Sequence, residues 1–225
     1  MITDLPIHIY IIFFISVVYL LIMFYYATNK NLKFISGIVL WGIIHSILAI
    51  SGYYKNTETI PPRLLLLVFP LIPFVIFSIF SKNIKNWLST FNLKWLTYLH
   101  TVRIPVEIVL FLLFLEGYVP QLMTFEGRNF DILTGISAPI VAFIAFGSNK
   151  INKPLLWIWN GFSLILLINI LIHAVLSTPT ILQQFAFEQP NVAMTKFPFL
   201  LLPAIIVPLV LISNIAGFII LKRQS

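Results

Sequence analysis

The residues with the clearest capacity for chemistry lie in one apolar stretch, Leu96–Leu115. His100, Arg103 and Glu107 are spaced by three and four residues, which places their side chains on one face of an α-helix. Arg103 and Glu107 fall roughly 10 and 16 Å into the stretch, deep in a membrane core about 30 Å thick. Burying a charge there costs roughly 2.5 kcal/mol or more, so these side chains are expected to face a partner or water rather than lipid.

This polar face has two interpretations. As an ion pair four residues apart, Arg103 and Glu107 would fix the helix in position and serve structure alone. As a functional centre, the face of His100, Arg103 and Glu107 would carry the path of a substrate or a proton, which is the default hypothesis for charge inside a membrane.

A second polar cluster precedes the short apolar stretch Ile132–Phe146. Its members are Glu126, Arg128, Asn129 and Asp131. One interpretation is a segment that dips back into the membrane as half of a broken helix and lines a cavity. The other is a solvated outer loop in which Asp131 caps the following helix.

His45 and His173 are the candidate ligand histidines, each in the outer half of an apolar stretch. Two imidazoles facing each other at similar depth could hold a haem or a metal ion. Alternatively, each ring makes an ordinary polar contact between helices. The chain has no Cys, which excludes disulfides, thiolate metal sites and Cys nucleophiles.

The composition determines the surroundings of these residues. With 60% hydrophobic and 9% charged residues, the chain has too little polar surface to cover a soluble globule, so we expect an all-α membrane bundle in one domain, residues 1–225. Prolines are expected to break several of its helices near membrane depth, as in transporters. Seven stretches approach the length of a span: Leu5–Tyr26, Phe34–Tyr53, Leu64–Phe80, Leu96–Leu115, Ile132–Phe146, Leu155–Leu176 and Phe197–Leu221.

The basic residues predict the orientation of the seven spans. Nine of the 14 Lys and Arg fall at four places without an acid, and basic loops stay cytoplasmic. This predicts an outside amino terminus and an inside carboxyl terminus in a bacterial plasma membrane. The net charge of +7 is distributed over the ends of spans rather than one patch, which indicates lipid and not nucleic acid as the partner. The nine residues are Lys30, Lys33, Lys82, Lys85, Lys94, Lys150, Lys153, Lys222 and Arg223.

Ordered matches between the two ends of the chain suggest an internal repeat, with units 4–81 and 131–221 joined by the span 96–115. The alternative is that hydropathy and the charge rule place similar residues in both halves. A parallel repeat of three, one and three spans resembles in outline the SWEET and PQ-loop sugar porters, although the Pro-Gln pair of this chain, residues 120–121, lies in an outer loop. The matches are Asp4 with Asp131, Asn-Lys-x-x-Lys at 29–33 and 149–153, Ile-His at 44–45 and 172–173, and Arg63 and Pro70 with Lys196 and Pro203.

The block from His100 to Asp131 resembles uncharacterised bacterial multi-pass membrane proteins, a resemblance that implies no function. Several classes of protein are excluded because the residues that they require are missing. Lys196 is too near the outer edge of the last span for a retinal Schiff base. The motifs of rhomboid proteases, zinc proteases and phosphate-binding loops are absent.

Three functions remain. The first is a small-solute or ion transporter centred on the face of His100, Arg103 and Glu107. The second is a membrane enzyme or redox protein that uses His45, His173 or the outer cluster at residues 126–131. The third is a non-catalytic assembly partner, in which the charged pair is scaffold. The sequence alone selects no enzyme class and no cofactor.

Overall fold

A computed structural model describes residues 5–148 and 150–224. Over these residues the chain is helical and holds no strand, which confirms the all-α prediction. The helices are α1 (Ile7–Ala27), α2 (Leu32–Ile50), α3 (Leu65–Val68), α4 (Leu71–Phe80), α5 (Lys82–Leu88), α6 (Leu93–Leu99), α7 (Arg103–Leu115), α8 (Asp131–Phe146), α9 (Lys153–Ser177) and α10 (Val207–Gln224).

Irregular turns interrupt the helices near three prolines. Pro70 separates α3 from α4, Pro105 follows a 3₁₀ turn over His100–Val102 at the start of α7, and Pro203 lies in a π-helical turn over Leu202–Ile206. A proline has no N–H to donate to the helical ladder, which explains these positions. The break expected at Pro139 does not occur, because α8 continues through it.

Five helical stretches in the described part are long and apolar enough to cross a membrane: Ile7–Ala27, Leu32–Ile50, Leu93–Leu115, Lys153–Ser177 and Leu202–Arg223. The pair Leu65–Phe80 and Lys82–Leu88, bent by 99°, raises the number to six if it is one broken span. The predicted fifth span, α8, is helical but has only 16 residues. The protein therefore has the build of an integral membrane protein, with a broken third and a short fifth segment.

The stretch formed by α6 and α7 and the stretch Leu202–Arg223 are the most buried of the five spans. The share of buried residues is 50% in the apolar part of Leu93–Leu115 and 72% in that of Leu202–Arg223. In α2 it is only 17%. α6 contacts α1, α8 and α10, and α7 contacts α1 and α8. Outward-facing apolar side chains such as Phe143 and Ile158 are 72% and 75% exposed, as expected for surfaces in contact with lipid acyl chains.

Candidate functional site

Arg103 forms its ion pair with Asp131, the first residue of α8. The predicted pairing of Arg103 with Glu107 is wrong, because within the described residues Arg103 makes no hydrogen bond to Glu107. The two paired side chains are only 3% and 8% exposed, so the pair is fully inside the bundle. Asp131 can reach Arg103 because α8 begins beside the first turn of α7 rather than at the far end of α7.

A glycine allows α8 to come this close. One turn after Asp131, a Cβ added at Gly135 would lie 2.8 Å from Cγ1 and 2.9 Å from the backbone nitrogen of Ile104. Real Cβ atoms do not approach other atoms so closely, so only glycine fits here. The close contact at Gly135 brings the carboxylate of Asp131 within reach of Arg103.

A directional chain of hydrogen bonds runs from Arg103 towards the cytoplasmic end predicted for α6. Arg103 Nη2 donates to Ser163 Oγ at 3.0 Å, and Ser163 Oγ lies 3.3 Å from His100 Nδ1. His100 Nε2 lies 3.1 Å from Ser213 Oγ, which donates to the carbonyl of Leu96 at 3.1 Å. Because the one hydroxyl proton of Ser213 is donated to the carbonyl of Leu96, His100 Nε2 is assigned as the donor to Ser213, and Nδ1 of the neutral ring then accepts from Ser163.

Glu107 belongs to a different set of contacts. Its Oε1 accepts a hydrogen bond of 2.5 Å from Asn129 Nδ2, which also donates to the carbonyl of Met123 at 3.0 Å. Asn129 Oδ1 in turn accepts from the backbone N–H of Asp131 at 3.0 Å. Glu107 is 1% exposed, yet its Oε2 has no hydrogen-bond partner among the described residues.

The outer polar cluster is divided by the fold. Asn129 and Asp131 are buried at the site, whereas Glu126 and Arg128 are exposed. The segment returns along α7, and the ring of Phe125 lies 4.9 Å from that of Phe111. The segment thus packs against α7, and its re-entry into the membrane stays a prediction.

Neither detailed prediction for this segment matches its conformation. Residues 124–130 form turns rather than half a helix. α8 has no side-chain cap on its amino terminus, because its cap position is Phe130; Asp131 is the first helical residue, and its carboxylate pairs with Arg103. Asn129 instead orders the backbone at the start of α8, because its Oδ1 accepts a hydrogen bond from the N–H of Asp131.

A small cavity borders the charged residues. It has a volume of about 50 Å³ and is lined by Arg103, Glu107 and Asp131 together with apolar side chains of α7, α9 and the π turn. A cavity of this size admits water or a small ion. The carboxyl oxygen of Glu107 that lacks a protein partner belongs to one of its lining residues.

A second cavity of about 100 Å³ extends towards the end of α9, where Thr178, Thr180 and Asn191 line it. The two cavities have four wall residues in common, so they are neighbours. These shared residues are Leu171, Ala174, Leu202 and Val207.

The two candidate ligand histidines have separate local partners. The buried ring of His45 hydrogen-bonds with the hydroxyl of Tyr54 and lies 4.0 Å from the ring of Trp41. His173 Nδ1 donates to the carbonyl of Asn169 at 2.8 Å in its own helix. Among the residues that the structure describes, no group of three or more His, Asp or Glu side chains is placed to hold a metal ion.

Sequence reasoning missed Ser163 and Ser213. Both are buried and connect His100 to its surroundings. The available signal was the clustering of polar residues in otherwise apolar stretches: Asn160 and Ser163, three residues apart on α9, and the adjacent Ser213 and Asn214 on α10.

The family match covers the whole of this site. A family described as Domain of unknown function (DUF8737) matches residues 60–222, well over half of the chain. No curated protein and no solved structure matches the sequence. The expected likeness to an uncharacterised family is therefore confirmed.

Proposed function

We propose that the chain, which belongs to the DUF8737 family, is a membrane transporter for a proton or a small cationic solute, with Glu107 as the group that binds and releases it. One observation carries the proposal. Glu107 is a buried carboxyl group that lines a cavity, and one of its oxygens has no hydrogen-bond partner among the residues that the structure describes. An ionisable group inside a membrane bundle is costly to keep and marks a path for ions or protons.

The charge balance of the site supports this role. Arg103 and Asp131 neutralise each other within their ion pair. An ionised Glu107 would add one uncompensated negative charge in an apolar interior, where a lone charge is unstable. Glu107 therefore holds either a proton or a cation that occupies the adjacent cavity.

The cavities supply a route to this carboxyl group. Thr178, Thr180 and Asn191 line the second cavity, and the four wall residues that it shares with the cavity at Glu107 are all apolar. Such a route suits a proton carried by water or a small cation with apolar character. The proposal requires the four shared wall residues to move so that the two cavities join.

Release on the other side requires a change of conformation. The hydrogen-bonded chain from Ser163 to Leu96 begins at Arg103, whose guanidinium does not give up its proton in proteins. The chain cannot conduct protons end to end. The π-helical turn over Leu202–Ile206 lines the Glu107 cavity, and such turns often mark functional hinges.

The proposal includes the seven-span arrangement in a bacterial plasma membrane, with the amino terminus outside and the carboxyl terminus inside. A parallel repeat within one membrane domain is part of it. Support comes from the interruptions at the matched residues Pro70 and Pro203. Two of the matched residues, Asp4 and Asn149, lie outside the described residues.

The test is ion flux in proteoliposomes containing the internal pH dye pyranine. Under a potassium diffusion potential that is negative inside, wild-type protein should acidify the lumen. Glu107→Gln should abolish the flux, whereas Glu126→Gln, at an exposed acid of the same type, should leave it unchanged. Equal flux through wild type and Glu107→Gln would instead make the polar face a scaffold.

A further inference from the structure

A lateral groove on the bundle is separate from the proposed transport site. It has a volume of about 320 Å³ and lies between α2, the broken segment of α3 and α4, and the end of the π turn with α10. Its walls are almost entirely apolar, and Lys33 is the one ionisable residue among the lining residues described.

The depth of the groove matches one leaflet of a bilayer. Along α2 it extends from Lys33 to Trp41, which is roughly 12 Å at 1.5 Å per residue. Half of a hydrocarbon core about 30 Å thick is of similar depth. The groove thus begins at the membrane surface where Lys30 and Lys33 lie and ends near the middle of the membrane.

The charge at the surface end is unpaired. Lys33 is exposed, and in the described part of the chain its ammonium group has no hydrogen-bond or ion-pair partner. Lys30 is also exposed, in the turn between α1 and α2. No acid lines the groove, so the surface end attracts an anionic group and offers it no competing carboxylate.

We propose that the groove binds one acyl chain of an anionic phospholipid whose phosphate lies at Lys33. The apolar length supplies contact for the chain, and the lysine supplies preference for an anionic headgroup. Gly37 keeps the groove open, because a Cβ added there would meet no atom within 4 Å. This proposal does not depend on transport through the Glu107 site.

The fluorescence of Trp41, which lines the groove near its inner end, is the readout. Protein is reconstituted in phosphatidylcholine vesicles that contain the same series of increasing mole fractions of either dibromostearoyl phosphatidylglycerol or dibromostearoyl phosphatidylcholine. Quenching of Trp41 is obtained as the difference between wild type and Trp41→Phe. We expect the brominated anionic lipid to quench at about fivefold lower mole fraction than the neutral one, the preference that one lysine near an anionic group supplies.

Two variants separate the headgroup from the chain. Lys33→Gln should remove the preference and leave quenching by the neutral lipid unchanged, while Lys30→Gln, outside the groove lining, should retain it. Gly37→Leu should fill the groove and lower quenching by both lipids. Gly161→Leu is the matched control on α9, since a Cβ there also meets no atom within 4 Å, and it should behave as wild type.

Three results would overturn the proposal. Equal quenching by the two lipids in wild type would make the groove ordinary lipid-contact surface. An equal loss of preference in Lys33→Gln and Lys30→Gln would assign the effect to general surface charge. A change from dimer to monomer in Gly37→Leu, with lipid quenching unaltered, would show that a second copy of the chain occupies the groove. If Gly37→Leu does not fold, Gly37→Ala and the exposed Lys33→Gln decide the result.

Discussion

Arg103 pairs with Asp131, 28 residues further along the chain, while Glu107, one turn away on its own helix, is bonded to Asn129. The two acids of the site therefore have different environments. Asp131 is neutralised by a guanidinium, and Glu107 has an oxygen without a protein partner. A neutralised pair suits a structural role, and an incompletely bonded acid suits exchange.

Removing Asp131 should be far more damaging to stability than removing the charge of Glu107. Asp131→Asn keeps an oxygen that can accept from Arg103 but removes the compensating negative charge, so the buried guanidinium is left as an unbalanced positive charge beside Ser163. Breaking a buried ion pair from one side costs about 3–5 kcal/mol. The loss of stability is measured as a lower melting temperature in detergent, which is determined by size-exclusion chromatography of heated samples.

The matched controls are a double change and a second acid. Arg103→Gln with Asp131→Asn removes both charges and should recover much of the stability, whereas Glu107→Gln alone should remain near wild type. If Glu107→Gln is destabilised as strongly as Asp131→Asn, both acids share the guanidinium and the division of roles is wrong.

The approach of α8 to α7 should depend on Gly135. In Gly135→Ala the new methyl group would lie 2.8 Å from the side chain of Ile104, so α8 must move away, at a cost of roughly 1–3 kcal/mol. Thermal unfolding in detergent measures this. Gly161→Ala, where the added methyl meets no atom within 4 Å, should be at least as stable as wild type; comparable losses in both variants would contradict the close packing at Gly135.

The hydrogen bond between Tyr54 and His45 should be structural. Tyr54→Phe leaves a buried ring nitrogen of His45 without its partner, which costs about 1–3 kcal/mol. The half-buried His173 bonds only to a carbonyl of its own helix, so His173→Leu should change stability by about 0.5 kcal/mol or less. A Soret band in purified wild type that both His45→Leu and His173→Leu abolish would instead identify a haem held by the two rings.

Helical periodicity was enough to find the buried face of the central span. His100, Arg103 and Glu107 are all buried, because three polar groups on one face of an apolar helix can avoid lipid only by facing the bundle. Their partners were not predictable in the same way. Asp131 reaches Arg103 through a loop whose path depends on packing such as that of Phe125 on Phe111, and no periodic pattern encodes that path.

Serines in apolar helices carry a weak signal for a similar reason. A serine hydroxyl can bond to a carbonyl of its own helix, so the sequence does not reveal that Ser163 and Ser213 bond to His100. Hydropathy also identifies an apolar stretch without giving the direction of the helix axis within it. The stretch Leu64–Phe80 was found as apolar, but its interruption at Pro70 and the 99° bend after Phe80 follow from local backbone geometry.

The exchange of a proton or cation at Glu107 is tested most directly by its reaction with dicyclohexylcarbodiimide, an apolar reagent that adds to protonated carboxyl groups. Wild-type protein in liposomes should gain one adduct by intact mass, mapped to Glu107 by peptide fragmentation and formed more slowly as pH rises. Asp131, held by Arg103, should stay unmodified, and Glu107→Gln should gain no adduct. An unmodified Glu107 at every pH, or an adduct that persists in Glu107→Gln, would contradict the proposed role of this carboxyl group.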